Sequence, residues 1–392
     1  MNPVWPTEFE EQLLLACFAP DEAAKRALRH CSEHWPDAGG DSATVLLLPL
    51  LYRRWPAEPG QIVGLGQRAY CATWNRNRER MAQLIEIAAG FREAGIRWMA
   101  LKGAALALRQ YVDLGLRAMS DVDVLIQPKD LSRAVLLLHR AGYRAEEDAT
   151  AAAILRQARV RHAWQFFGEP DWNLDLHWRP VSRCYSPEVT RMFWDQAEAV
   201  RFGDNEILVP SPSDQLFHVC VHGLQWDWSR KIRWIADALS VLRAPMNWAH
   251  MSQLAESSGM SFRLAEALTF LLERFQAPIP PDLPARLIRV ASRWEAGEHR
   301  LLLKTCPLGL RDSIAWHVYN FRRLRPYDDR WRRMPLVIAL PQYAAAFLDA
   351  PGPRSFCVKL WPHLTSRLAQ LSASCALAAK QPERQQEPCS DE

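Results

Sequence analysis

Paired cysteines are missing from this chain of 392 residues. Its nine cysteines stand at 17, 31, 71, 184, 220, 306, 357, 375 and 389, and no two are spaced C-x-x-C. The number is odd, so the pattern reads as reduced thiols rather than a disulfide framework. No run approaches 18 apolar residues, the length a membrane-spanning helix needs. The opening MNPVWPTEFEEQ is acidic and has no apolar core, so no signal peptide is expected. These absences point to a cytoplasmic protein. Neither charge sign dominates: 48 Lys and Arg face 44 Asp and Glu, a formal net charge of +4. That gives no general case for nucleic acid as a partner. No internal repeat is found.

Hydrophobic residues make up 49% of the sequence, enough to fill more than one core, and the length exceeds a single compact one. Residues 1–94 carry helical spacing, in LLLACF, ATVLLLPLLYRRW and the stretch 61–91. Pro49 should kink or split the second of these. Residues 95–210 carry the strands, residues 211–375 are helical again, and a polar tail at 376–392 is expected to be disordered. The predicted class is α+β, a small mixed sheet flanked by N-terminal and C-terminal helical regions.

Two stretches in the middle part alternate as strands do: RAMSDVDVLI at 117–126 and DWNLDLHWRP at 171–180. In the first, Val122, Val124 and Ile126 share a face, and Asp121 and Asp123 share the other. In the second, Asn173, Asp175, His177 and Arg179 lie opposite Trp172, Leu174, Leu176 and Trp178. Residues two apart on a strand are roughly 6.5–7 Å apart and face one side. If the strands are neighbours, Asp121, Asp123 and Asp175 gather on one polar face. Three carboxylates alone would repel and resist ionisation. A divalent ion reverses that, and carboxylates at this spacing suit octahedral Mg²⁺, with ligands at about 2.0–2.1 Å. An Asp-x-Asp on a solvated strand face is also common without function. The combination is more specific, because Asp is disfavoured within strands.

Upstream, IRWMALKGAALALRQY at 96–111 reads as a short buried strand, a break at Lys102 and Gly103, and a helix. Such a turn brings backbone N–H groups and a helix start to one spot, which suits phosphate. Lys102 could reach that phosphate or be a solvated loop lysine. LKGAAL, then LGLRAMSDVDVLI, then a helix ending in AGY, then LDLHW together resemble the bacterial uncharacterised nucleotidyltransferase family. That family belongs to the DNA polymerase beta-like nucleotidyltransferase superfamily. The resemblance covers roughly residues 80–245 and implies a nucleotidyltransferase-type sheet.

Carried over residue by residue, the resemblance makes Gly103 the phosphate-loop glycine, Asp121 and Asp123 the metal pair, and Asp175 the third carboxylate. Mg²⁺ or Mn²⁺ would be the cofactor. The substrates would be an NTP such as ATP and an acceptor hydroxyl or phosphate on a small molecule, peptide or protein. The chain departs from the superfamily at Gly103-Ala104, where Gly-Ser or Gly-Gly is usual, and at Ser120, where a glycine is. The first change removes a hydroxyl that could contact phosphate. The alternative is therefore a catalytically degenerate module that binds a nucleotide or a partner.

Three further features have two readings each. Arg117 could clamp the triphosphate or pair with Asp113 at the surface. His177 could touch phosphate or pair with Asp175. His218, His222 and Asp237 lie on consecutive helices beginning at Ser211 and near Lys231, and Asp214, His218 and His222 share one face. They could line an acceptor pocket or form a buried polar network, and a zinc site lacks a clear third ligand. Near the end, NFRRLRPYDDRWRRMP interleaves six arginines with aromatics. It reads as a solvated face or a dock for an acidic partner more than as an RNA surface.

Overall fold

A computed structural model describes residues 4–35, 42–58, 60–224, 232–304 and 310–349. The expected tail at 376–392, the stretch 350–375 and the cysteines at 306, 357, 375 and 389 lie outside these residues.

Local chemistry sets the helix starts. Thr7 Oγ1 accepts from Glu10 N at 3.3 Å, and the Glu10 carboxylate accepts from Thr7 N at 2.6 Å, a reciprocal cap on Glu8–Phe18. Pro49 splits its segment as expected. Ser42–Val45 stops, and Leu48–Arg54 begins with the proline in its first turn. Ser211 caps Pro212–Gly223 by accepting from Asp214 N at 3.2 Å. Gly142 follows Leu131–Arg140 at φ +86°, a left-handed stop that glycine takes without strain.

Five strands form one mixed sheet in the order β1-β2-β5-β4-β3. They are β1 Trp98–Ala100, β2 Val122–Ile126, β3 Arg144–Ala145, β4 Ala163–Gly168 and β5 Trp172–His177. β2 runs antiparallel to β1 and parallel to β5, and β4 runs antiparallel to both β5 and β3. A separate hairpin, β6 Glu198–Phe202 and β7 Asn205–Val209, turns at Gly203. With helices before and after, the class is α+β. β1 is shorter than the stretch that announced it. The two-residue β3 had no periodicity to announce it, and the helices Ala151–Gln157 and Pro187–Asp195 were also not anticipated.

Every residue of β2 is buried. Val122, Val124 and Ile126 pack with Leu131 and Val135 of the following helix and with Leu84 of the long helix Gln61–Glu93. On the other side Leu125 packs with Met99, Leu101 and Trp194. The alternation therefore does not divide core from solvent. Both faces are covered, and Asp123 is only 3% exposed.

N-terminal and C-terminal helices share a second core, in which Leu13, Leu47 and Leu51 meet Phe217, Ile235 and Leu268. The long helix joins the two cores, with Ile62 and Val63 in one and Met81, Leu84 and Phe91 in the other. The arginine-rich segment is not a purely solvated face. Arg323 binds the Glu298 carboxylate and donates to the carbonyls of Ser258 and Gly259, each at 2.7 Å. Arg325 donates to the carbonyls of Trp331 and Met334, and Arg322 stacks 4.1 Å above Trp294. Arg323 and Arg325 thus tie C-terminal elements together, while Arg322, Arg330, Arg332 and Arg333 stay exposed. Among the described residues, no helix is long and apolar enough to cross a membrane.

One buried ring in this region gives a pH test. His299 is 2% exposed, and burial, helped by the Arg263 charge, pushes its imidazole down to about 3. In the unfolded chain the ring titrates near its ordinary value of about 6.5. The unfolded state then takes a proton that the folded state refuses, so stability is full above about 6.5 and drains as pH falls toward 3. We predict that His299→Leu loses less melting temperature than the wild type between pH 7 and pH 4.5. Equal losses would mean that the ring is not held neutral by the fold.

Candidate functional site

The parallel pairing of β2 with β5 sets Asp123 directly opposite Asp175. Two side chains bridge their carboxylates. His177 Nε2 lies 3.1 Å from Asp123 Oδ1 and 3.0 Å from Asp175 Oδ2. Lys102 Nζ lies 2.6 Å from Asp123 Oδ1 and 3.4 Å from Asp175 Oδ2. Lys102 is thus no solvated loop lysine. His177 is completely buried and faces both carboxylates, the pairing alternative rather than the phosphate one.

Burial alone would raise both carboxyl groups, and two like charges side by side would raise them further. His177 and Lys102 outweigh this and hold Asp175 well below the usual carboxylate range. Lys102 and His177 likewise lower Asp123. Burial works against the charged forms of Lys102 and His177 too, yet the facing carboxylates keep both above their ordinary values. His162, with its ring 5.4 Å from that of His177, is pushed down to about 3 by burial and by the His177 charge, so it stays neutral.

Ligand atoms of Asp123, Asp175 and His177 all fall within 4.8 Å of one another. Asp121 is not in that group. It stands one residue before β2 beside Ser120, whose hydroxyl donates to it at 3.0 Å, and burial and the Asp123 charge raise its carboxyl. No zinc-like group forms around His218 and His222 among the described residues.

A cleft of about 450 Å³ opens onto this cluster. Lys102, Gly103, Arg117, Asp121 and Asp123 line it from the sheet side. His218 and His222 from Pro212–Gly223, and Arg233 and Asp237 from Arg233–Val241, line it from the helical side. Asp175 and His177 are not part of its wall. The two readings of His218 and Asp237 are not exclusive, since both are buried and both line the cleft. Burial pushes His218 down to about 3, so it faces the cleft as a neutral ring.

Arg117 does not pair with Asp113, which accepts from the Tyr70 hydroxyl at 3.0 Å and from Gly115 N at 2.8 Å. Arg117 instead reaches Asp237, with Nη2 at 3.1 Å from Oδ2 and Nε at 3.2 Å from Oδ1. Tyr111 donates its hydroxyl to the same carboxylate at 2.8 Å. Gly103 makes room for this pair: a Cβ there would stand 2.5 Å from Arg117 Nη1 and 2.9 Å from Met119 Cγ.

Two residues were missed as site residues. Arg233 donates to the Ala118 carbonyl at 2.9 Å, and burial and the Arg117 charge lower it to about 10. Its only signal was the i, i+4 spacing with Asp237. Asn77, fully buried in the long helix, donates to the carbonyls of Leu114 at 2.6 Å and Arg117 at 2.7 Å and accepts from Met119 N at 3.1 Å. It ties down the loop that carries Arg117 toward β2. A polar residue on an apolar helix face was its signal.

The profile of a family described as uncharacterised nucleotidyltransferases matches residues 47–276, more than half of the 392. The chain belongs to this family. The match takes in the long helix, the whole sheet and every charged residue of the cleft, and it supports nucleotidyl transfer as the general activity. No curated protein matches the chain.

Asn77→Ala removes three hydrogen bonds and leaves buried backbone groups without partners, a cost of about 2–3 kcal/mol. Urea unfolding of the variant should show that loss. An unchanged midpoint would mean the loop is held by something else.

Proposed function

We propose that the protein is a divalent-metal-dependent enzyme that moves a nucleoside monophosphate from an NTP to an acceptor hydroxyl or phosphate. The observation that carries this reading is the β2–β5 register, which sets Asp175 against Asp123, an acid in the wall of a cleft bearing three basic side chains. The donor set fits the metal. Carboxylate oxygens of Asp123 and Asp175 lie within 4.8 Å of each other, and paired carboxylates suit Mg²⁺ or Mn²⁺. Asp123 and Asp175 would hold the ion, with Asp121 as a further carboxylate from the cleft wall and His177 fixing the first two from behind. A bound ion would neutralise charge building on the phosphates and ease deprotonation of the acceptor.

The chain's own residues supply the rest. Arg117 and Arg233 would meet the triphosphate, with Arg117 aimed by Asp237. The backbone near Gly103 would lie against phosphate, because the first turn of a helix leaves N–H groups without intrahelical partners. The acceptor oxygen bonds to the α-phosphorus. The bond from that phosphorus to the α–β bridging oxygen breaks, and pyrophosphate leaves with the electron pair. The acceptor's proton leaves to solvent in the cleft, since Asp175 stands outside the cleft wall and its carboxyl is held well below the usual range. Positioning and charge neutralisation do most of the work, as in phosphoryl transfer generally. His218 and His222, across the cleft, would border the acceptor.

One observation favours the rival, a degenerate binding module: the Lys102 ammonium already bridges both carboxylates. Pyrophosphate release from the four NTPs, with Mg²⁺ or Mn²⁺ and a panel of acceptors, separates the two. Asp123→Asn should cut turnover by about 10²-fold or more, since a metal ligand loses its charge. Its melting curve must be recorded alongside, because Asp123 is buried against Lys102 and His177. Turnover equal to wild type in a folded Asp123→Asn protein would sink the metal assignment.

A further inference from the structure

Lys102 occupies a position that a metal reading of Asp123 and Asp175 makes contested. Its Nζ stands 2.6 Å from one carboxylate and 3.4 Å from the other. The side chain is 21% exposed, while that of Asp123 is 3% exposed. A divalent ion bound to the same two oxygens would sit about 2.0–2.1 Å from each. An ammonium left in place would then face two positive charges at close range in a poorly solvated site, which is strongly unfavourable. The two cations exclude each other.

The root of the side chain is fixed. Leu101 N donates to the Asp123 carbonyl at 2.9 Å, so residue 102 starts from the edge of β2. Lys102 itself takes φ +41°, in the left-handed region, which costs roughly 1 kcal/mol or more for a residue with a Cβ. Gly103 then passes against Arg117 with no room for a side chain. The stem, by contrast, has four carbons and several rotatable bonds. Lys102 also lines the cleft, where Arg117 and Arg233 stand. An ammonium that leaves the carboxylates therefore has a place to go. Of the other carboxylates in that wall, Asp237 is committed to Arg117 and Tyr111 and Asp121 would be drawn to the ion, so an arriving phosphate is the anion that would hold the ammonium there.

We propose that Lys102 is an exchangeable counter-ion that couples metal binding to nucleotide binding. The proposal rests on the metal reading given above. Without substrate, Lys102 bridges Asp123 and Asp175 and keeps them ionised at close range. When a divalent ion takes the carboxylates, Lys102 swings into the cleft and pairs with the triphosphate. The ion alone is opposed, because it strands the ammonium. The triphosphate alone is opposed, because the ammonium is still held. Together they bind well, so the coupling is positive and works in both directions.

The test measures Mn²⁺ binding by electron paramagnetic resonance, with inorganic triphosphate as a base-independent probe. Wild-type protein should bind Mn²⁺ weakly alone and about tenfold or more tightly with saturating triphosphate. Lys102→Met should bind Mn²⁺ alone about tenfold or more tightly than wild type, and the gain from triphosphate should largely vanish. Its melting temperature should fall in metal-free buffer and recover with Mn²⁺. Lys102→Arg keeps the charge and guards against a folding failure of the first variant. It should retain weak binding of Mn²⁺ alone. If wild type binds Mn²⁺ and Lys102→Met binds it no more tightly, the exchange is overturned and the metal reading survives. If neither protein binds Mn²⁺ with or without triphosphate, the metal reading fails and takes the exchange with it.

Discussion

Two carboxylates set opposite each other in a covered sheet are the constraint on which this site depends. The parallel register of β2 and β5 leaves Asp123 and Asp175 no other arrangement. Each would be costly to bury as an ion, and together they would repel. The fold answers with His177 on the same strand as Asp175 and with Lys102 from the break after β1. Both cations touch both acids. Removing any one of the four leaves an imbalance in a buried place, which is why the group reads as a unit rather than as separate contacts.

The helical parts of the chain are tied to that unit through a second set of charges. Asp237, on a helix beyond the sheet, takes Arg117 and the Tyr111 hydroxyl. Asn77, on the helix before the sheet, holds the carbonyl of the same Arg117. One loop, from Leu114 to Met119, is therefore gripped from both flanks. Gly103 then brings the phosphate-side backbone against the Arg117 guanidinium. The N-terminal helices, which look separate in sequence, share their hydrophobic core with the C-terminal ones. The cleft lies where the sheet meets that joint helical layer, and its two walls keep their spacing because each is buttressed by the other.

Much of this was legible in sequence and some of it could not be. The alternation in DVDVLI and LDLHW announced both strands, and Gly103, Asp121 and Asp123, named from local pattern and resemblance, line the cleft. Pro49 announced the split of its segment, and the helix expected from Ser211 begins at Pro212. Pairing partners were harder. Arg117 lies four residues from Asp113 but 120 from Asp237, and nothing local prefers the distant partner. Lys102 looks like any loop lysine until β2 and β5 are side by side. The burial of Asp123 was also hidden, because periodicity shows that a strand has two faces and not what covers each. Asn77 stands out as a polar residue on an apolar helix face, but its partners at Leu114, Arg117 and Met119 are set by packing. What escaped, in each case, was a contact made by tertiary packing.

The charge balance of the cleft follows from these pairings and bears on what can enter it. Lys102, Arg117 and Arg233 face Asp121, Asp123 and Asp237 across its walls. Lys102 is engaged by Asp123 and Asp175, and Arg117 by Asp237. Arg233 donates to a carbonyl and has no carboxylate partner among the described residues. A free polyanion thus finds little uncommitted positive charge, in keeping with a chain whose net charge is only +4. It also meets Asp121, whose carboxyl is raised by burial and by Asp123 and gains nothing from a second anion. A triphosphate that arrives with its cation is different. The cation would satisfy the acids, and the freed basic groups would satisfy the phosphates. On the function proposed above, a cleft neutral within itself would favour the metal-bound nucleotide over a bare anion, through matched charges rather than through an excess of either sign.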